Sequence, residues 1–224
     1  SSADELPTYA GFCPVYGTAV FTVDESIGTL RSKATVTTDA EGKLIHMVFS
    51  PDSTAASLDM ITDGATAYAS SPQSKGWVHD NFTAPEAFDA VVKMTRVSIF
   101  DDWVPEIARQ YVDVYSKDDR LVDAQPVTRY ELHVHVDDFK RAQPLAFASW
   151  SAGWGKYGGD AGILRLVLSV DKTGTVWQFE TWSDLNSDRS TYTLKSFTED
   201  VFSPPYPTSY LGMLHDGGPV EVTG

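Results

Sequence analysis

Glu131, His133 and His135 alternate along one segment, so a strand there puts a carboxylate and two imidazoles on the same side. That is a donor set for zinc, copper or iron. A metal site also needs a further ligand or an open coordination position, and spacing identifies neither. Alternation on a water-facing strand gathers polar residues in the same way. The three are therefore read as a solvated polar face, with His133 and His135 not metal ligands and no cofactor expected.

Gly153-Trp154-Gly155-Lys156-Tyr157-Gly158 fits the string G-x-G-x-x-G. The dinucleotide fingerprint must follow a strand and open a helix within a βαβ unit. Here it precedes the strand-like run Ile163–Val170, and Trp154 and Tyr157 would crowd a phosphate. An aromatic surface loop is the better reading. Neither G-x-S-x-G nor S-x-x-K occurs in a plausible context, so the chain is read as non-enzymatic. An extracellular hydrolase stays as an alternative, because triads and acid pairs assemble from distant positions.

The elements that would position these groups are mostly strands. Asp39-Ala40-Glu41-Gly42 separates Ser32–Thr38 from Lys43–Phe49, and Asp63-Gly64 separates Ser57–Thr62 from Ala65–Ser70. Each pair reads as a hairpin, since Asp bonds its own turn and Gly takes positive φ without steric cost. Asp171-Lys172-Thr173-Gly174 likewise divides Ile163–Val170 from Thr175–Thr181, with a third strand at Thr191–Phe197. Leu164, Leu166, Leu168 and Val170 form one apolar face, opposite Arg165 and Ser169. In the segment Val127–Val136, Tyr130, Leu132, Val134 and Val136 form another, opposite Arg129, Glu131, His133 and His135.

Two short helices are expected between the meanders, at 85–92 and 101–108, with proline and acidic residues near their starts. Phe88, Val91 and Val92, then Trp103, Ile107 and Tyr111, recur at helical spacing and would face the sheet. Phe139–Gly162, with Trp150, Trp154 and Tyr157, reads as a long loop with one helical turn. The whole of 1–224 is taken as one domain, with an irregular N-terminal segment (1–14) and an irregular Pro/Gly-rich tail (203–224).

Composition supports a packed core, at 42% hydrophobic and 12% aromatic residues over 224. A net charge of −14 repels phosphate backbones, so nucleic acid is not an expected partner. Cys13 is the only cysteine, which excludes an intrachain disulfide, and a buried inert thiol is expected. No apolar run is long enough to span a membrane as a helix. The opening Ser1-Ser2-Ala3-Asp4-Glu5 is of the kind that follows the lipidated cysteine of a bacterial lipoprotein. Export is expected, with membrane contact only through such an N-terminal anchor.

Ile61-Thr62-Asp63-Gly64-Ala65-Thr66-Ala67-Tyr68, followed by Gly76-Trp77-Val78, gives a strand, a turn, a strand and a tryptophan. A helical Asp102–Val114 then leads into the strand Tyr130–Val136, and the hairpin at Asp171–Gly174 closes with Thr191–Phe197. From about Tyr16 to Phe202 this layout resembles the LolA-like lipoprotein carrier superfamily, within it the actinobacterial LppX/LprG type of envelope lipoprotein.

The resemblance implies a mainly β, α+β fold: a curved antiparallel half-barrel closed by helices over a hydrophobic cavity for acyl chains. The implied role is non-enzymatic binding or transport of a lipid or glycolipid in the cell envelope, by a monomer. The expected cavity lining is Phe88, Val92, Trp103, Ile107, Leu132, Val134, Val136, Leu164, Leu166 and Leu168. The alternative is a protein-interaction or sensor module that uses Trp150 and Trp154 as its contact. The chain departs from the family at Ser1–Val15, where Pro7 and Pro14 break the helix that usually precedes the first strand.

Overall fold

A computed structural model of the chain describes residues 6–7, 17–40, 42–51, 57–63, 66–70, 76–81, 104, 106–152, 163–183, 188–214 and 218–223. The expected helix at 85–92, Cys13 and the glycine string at 153–158 lie outside the described residues.

The strands in chain order are β1 (Thr18–Ile27), β2 (Leu30–Asp39), β3 (Ile45–Pro51), β4 (Leu58–Thr62), β5 (Thr66–Ser70) and β6 (Val78–Asn81). After a short helix α1 (Glu106–Arg109) come β7 (Val112–Val122) and β8 (Gln125–His135), then helices α2 (Val136–Ala142) and α3 (Pro144–Ala152). The chain closes with β9 (Ile163–Val170), β10 (Val176–Ser183), β11 (Arg189–Thr198), β12 (Ser209–Leu214) and β13 (Gly218–Thr223). All thirteen join one sheet in the order β13-β12-β6-β5-β4-β3-β2-β1-β11-β10-β9-β8-β7. It is the mainly β, helix-closed half-barrel that the sequence implied.

Among the described residues every pairing is antiparallel except β12 with β6, which is parallel. The two meanders expected from the turn signals meet where β1 pairs β11. Their joining residues are far apart in sequence, which no local pattern encodes.

The helices pack on one face, the concave one. Val104, Ala108, Val136, Phe139 and Phe147 share a buried cluster with Leu132, Val134, Leu164, Leu166 and Leu168. Phe139 stacks on Tyr111 at 4.8 Å and meets Phe147 edge-on at 5.5 Å between ring centres.

Three expectations are corrected. Val112–Val114, read as the end of a helix, is strand, because Val112-Asp113-Val114 alternates and pairs with β8. The turn into β8 has Asp123 and Ala124 at φ 46° and 69°, and alanine there hides the usual Asn-Gly or Asp-Gly sign. Lys195 Nζ holds the Asp123 carboxylate at 2.7 Å, tying this tip back to β11.

The stretch from Phe139, read as a loop, is helical through Ala152; α2 has Asp137 and Asp138 in its first turn and Lys140 and Arg141 in its last, as the helix dipole favours. The tail is irregular only at its start and then supplies β12 and β13. An aromatic cluster on the convex face fixes it there: Tyr68 stacks on His79 at 4.2 Å, with Tyr206 and Tyr210 edge-on at 5.5 and 5.2 Å. Burial, then the neighbouring Tyr210, Tyr206 and Asp63, push the Tyr68 phenol above its usual range, so it remains neutral.

Candidate functional site

Directly opposed residues of an antiparallel pair share a face, so the registers define rows across the sheet. One row on the concave face runs Tyr130, Leu168, Phe179, Tyr192, Val23, Ala34, Phe49 and Leu58. A second runs Leu194, Phe21, Val36, Met47, Met60, Ala69 and Val78. Every member is apolar or aromatic. Alternation in each strand thus adds up to an apolar wall spanning β8 to β6.

Where this wall emerges at the turns β7–β8 and β9–β10, an open cavity of ≈ 1410 Å³ lies between Tyr130, Thr128, Pro126, Leu121, Val170 and Pro7. Asp119, Arg120, Asp171 and Lys172 stand on its rim. Small-molecule pockets are commonly about 300–1,000 Å³, so there is room for one or more long chains. The Lys117 ammonium lies 5.5 Å from the centre of the Tyr130 ring, a cation held over the aromatic wall.

Asp171 shapes the rim. Its Oδ1 accepts from the Thr173 and Thr175 amides at 2.8 and 3.0 Å and from the Thr173 hydroxyl at 2.6 Å, while Trp177 Nε1 donates to Oδ2 at 2.9 Å. Burial alone would push the carboxyl above its usual range; the bonds from Thr173, Trp177 and Thr175 outweigh it and hold the carboxyl below that range. A carboxyl depressed in the folded state contributes its stability above about pH 4 and loses it as pH falls through the lowered value. Asp171→Ala is expected to cost about 1–3 kcal/mol at pH 7 by stranding these donors. Urea melts should show the gap narrowing towards pH 2; a gap independent of pH contradicts the account.

The residues expected to line a cavity divide into three groups. Leu132, Val134, Leu164, Leu166 and Leu168 are fully buried together, and Val136 joins them from the start of α2 instead of from the strand. They form a closed core under the helices. Ile107 is 41% exposed on α1 and is not part of this buried cluster, contrary to its expected place against the sheet. Phe88, Val92 and Trp103 lie outside the described residues.

Trp150 also departs from its reading as a surface contact: its ring lies 5.6 Å from Phe139 and 6.2 Å from Phe147, partly buried. The cavity residues that sequence reasoning left out are Leu121, Pro126 and Thr128, which sit in or beside turns. Tyr130 and Val170 were visible on the apolar faces of their strands but were not among the expected lining.

Glu131 and His133 lie side by side on the convex face, 3.0 Å apart, while His135 pairs instead with Asp113 at 2.5 Å. Tyr115 stacks on His133 at 4.3 Å. The imidazoles thus take separate carboxylates and do not converge on one point. Among the described residues no group of three or more His, Cys, Asp or Glu is gathered as a metal site.

The described residues thus form an open, curved sheet with helices on its concave face and a cavity at one end. Among solved structures, lipoprotein LppX of Mycobacterium tuberculosis shares this fold at TM-score 0.51 and 13% identity, over 84% of this chain and 89% of that one. A DUF1329 family protein from Desulfovibrio piger matches at TM-score 0.26 and 9% identity, over 84% and 87%. An outer membrane lipoprotein-sorting protein domain from Vibrio parahaemolyticus matches at 0.23 and 6%, over 81% and 84%. Only the first is close enough to define a common fold. No family model and no curated protein matches the chain.

Proposed function

We propose that the protein binds and carries a lipid or other apolar ligand, without catalysis, as an exported protein of the bacterial cell envelope. The observation that carries this is the continuous apolar wall leading into an open ≈ 1410 Å³ cavity. A solid core needs no such opening. The shared fold with a lipoprotein, LppX, supports the envelope setting and an N-terminal lipid anchor. Lipid or glycolipid is the partner; the charge of −14 opposes nucleic acid.

Each methylene buried in the cavity contributes about 0.8 kcal/mol, which for a long acyl chain offsets the cost of association and lets the ligand survive purification. Native mass spectrometry of protein purified from a bacterial envelope fraction is expected to show added mass that organic extraction removes. Extracted protein should then regain mass from a lipid suspension. Protein that carries no lipid as purified and takes up none afterwards would overturn the proposal.

A further inference from the structure

The row next to the apolar wall changes character part-way across. It begins with Leu132 and Leu166 and continues as Thr181, Ser190, Glu25 and Ser32, all on the concave face. Thr181 is 2% exposed, and its Oγ1 has no hydrogen-bond partner. Two other buried threonines of this face are satisfied: Thr38 Oγ1 donates to the Asp39 carbonyl at 3.1 Å and Thr62 Oγ1 to the Thr66 carbonyl at 2.9 Å. Thr181 alone keeps an unmet hydroxyl there among the described residues. Ser190, which lies between Thr181 and Glu25 in the row, donates from Oγ to Glu25 Oε1 at 3.5 Å, so the carboxylate has a second oxygen that can accept.

Buried hydroxyls without partners are costly and rare, so one facing a binding face marks a place for a ligand atom. We propose that Thr181 and Glu25 hold the polar linkage of the bound lipid, and that this lipid is a neutral acyl ester bearing a free hydroxyl. The Thr181 hydroxyl donates to the ester carbonyl oxygen, and the Glu25 carboxylate accepts from the ligand's hydroxyl. Neighbouring strands are about 4.8 Å apart, so a donor on β10 and an acceptor reaching back from β1 match the short span between such groups on one molecule. Glu25 repels a phosphate placed there. The inference rests on the carrier reading and adds the ligand's chemistry to it.

The probes are a diacylglycerol, hexadecane, and the phosphatidic acid with the same acyl chains, titrated into delipidated protein. Thr181→Val should melt higher than wild type without ligand, because the unmet hydroxyl is gone. Its diacylglycerol affinity should fall about tenfold, the weight of one hydrogen bond, with hexadecane unchanged and Thr181→Ser close to wild type. Wild type should bind phosphatidic acid at least about tenfold more weakly than diacylglycerol, and Glu25→Gln should narrow that gap. Thr181→Val and Glu25→Gln both matching wild type for every probe would overturn this assignment and leave the carrier reading standing. Wild type that binds none of the three would remove both.

Discussion

Leu166→Arg is expected to abolish the cooperative unfolding transition, and Leu166→Ala to lower stability by about 3–5 kcal/mol. Leu166 is 0% exposed and lies opposite Leu132 on one side and Thr181 on the other, beneath the helices that contribute Phe139 and Phe147. Alanine leaves a void that the close-packed strands close only in part. Arginine strands a charge among leucines, with the row's carboxylate, Glu25, three strands away on β1. The control is Leu121→Arg at the cavity rim: Leu121 is 70% exposed, so its stability should stay within about 0.5 kcal/mol of wild type. Urea titration followed by circular dichroism decides between them. A Leu166→Arg protein that unfolds as wild type does would mean that this end of the face is open, and that the cavity reaches under the helices.

That expectation reverses part of what alternation alone implies. Leu164, Leu166 and Leu168 read equally well as cavity wall or as solid core, because periodicity fixes which side of a strand is apolar but not what covers it. The structure divides the face along its length: closed under α2 and α3, open at Tyr130 and Val170.

The strands and most hairpins were legible because Asp-Gly turns and period-two alternation are local. The joining of β1 to β11, the parallel pairing of β12 to β6 and the aromatic cluster at Tyr68 were not, since each depends on residues distant in sequence. Helix α2 was hidden for a different reason. Val136 continues the apolar alternation of β8, so the change of period falls one residue after the strand's last polar position, His135. The candidate polar segment was invisible because Thr181, Ser190 and Glu25 are ordinary strand residues until the register sets them in one row.

That register is held from behind, and its loss is the second large effect expected. Glu180 is 5% exposed on the convex face, one residue from Thr181; Arg189, one residue from Ser190, donates to its carboxylate, and Thr191 Oγ1 donates at 3.2 Å. The Arg189 guanidinium also lies 4.5 Å from the Trp182 ring, which Arg165 approaches to 4.6 Å. Arg189→Ala therefore leaves a buried carboxylate with one neutral donor and strips the indole of one cation. Removing one partner of a buried ion pair costs about 3–5 kcal/mol. Arg189 has its side chain 48% exposed, so solvent weakens the bond and about 2–4 kcal/mol is the expected loss. Most of that cost is the stranded charge, so Glu180→Gln combined with Arg189→Ala should recover about half of it. A double-mutant cycle in urea reads the coupling. The same variant should release diacylglycerol and hexadecane together, unlike Thr181→Val, because slippage of β10 against β11 disturbs the apolar wall as well as the polar row. Arg189→Ala within about 0.5 kcal/mol of wild type, with both ligands retained, would show that the backbone ladder alone sets the register of this face.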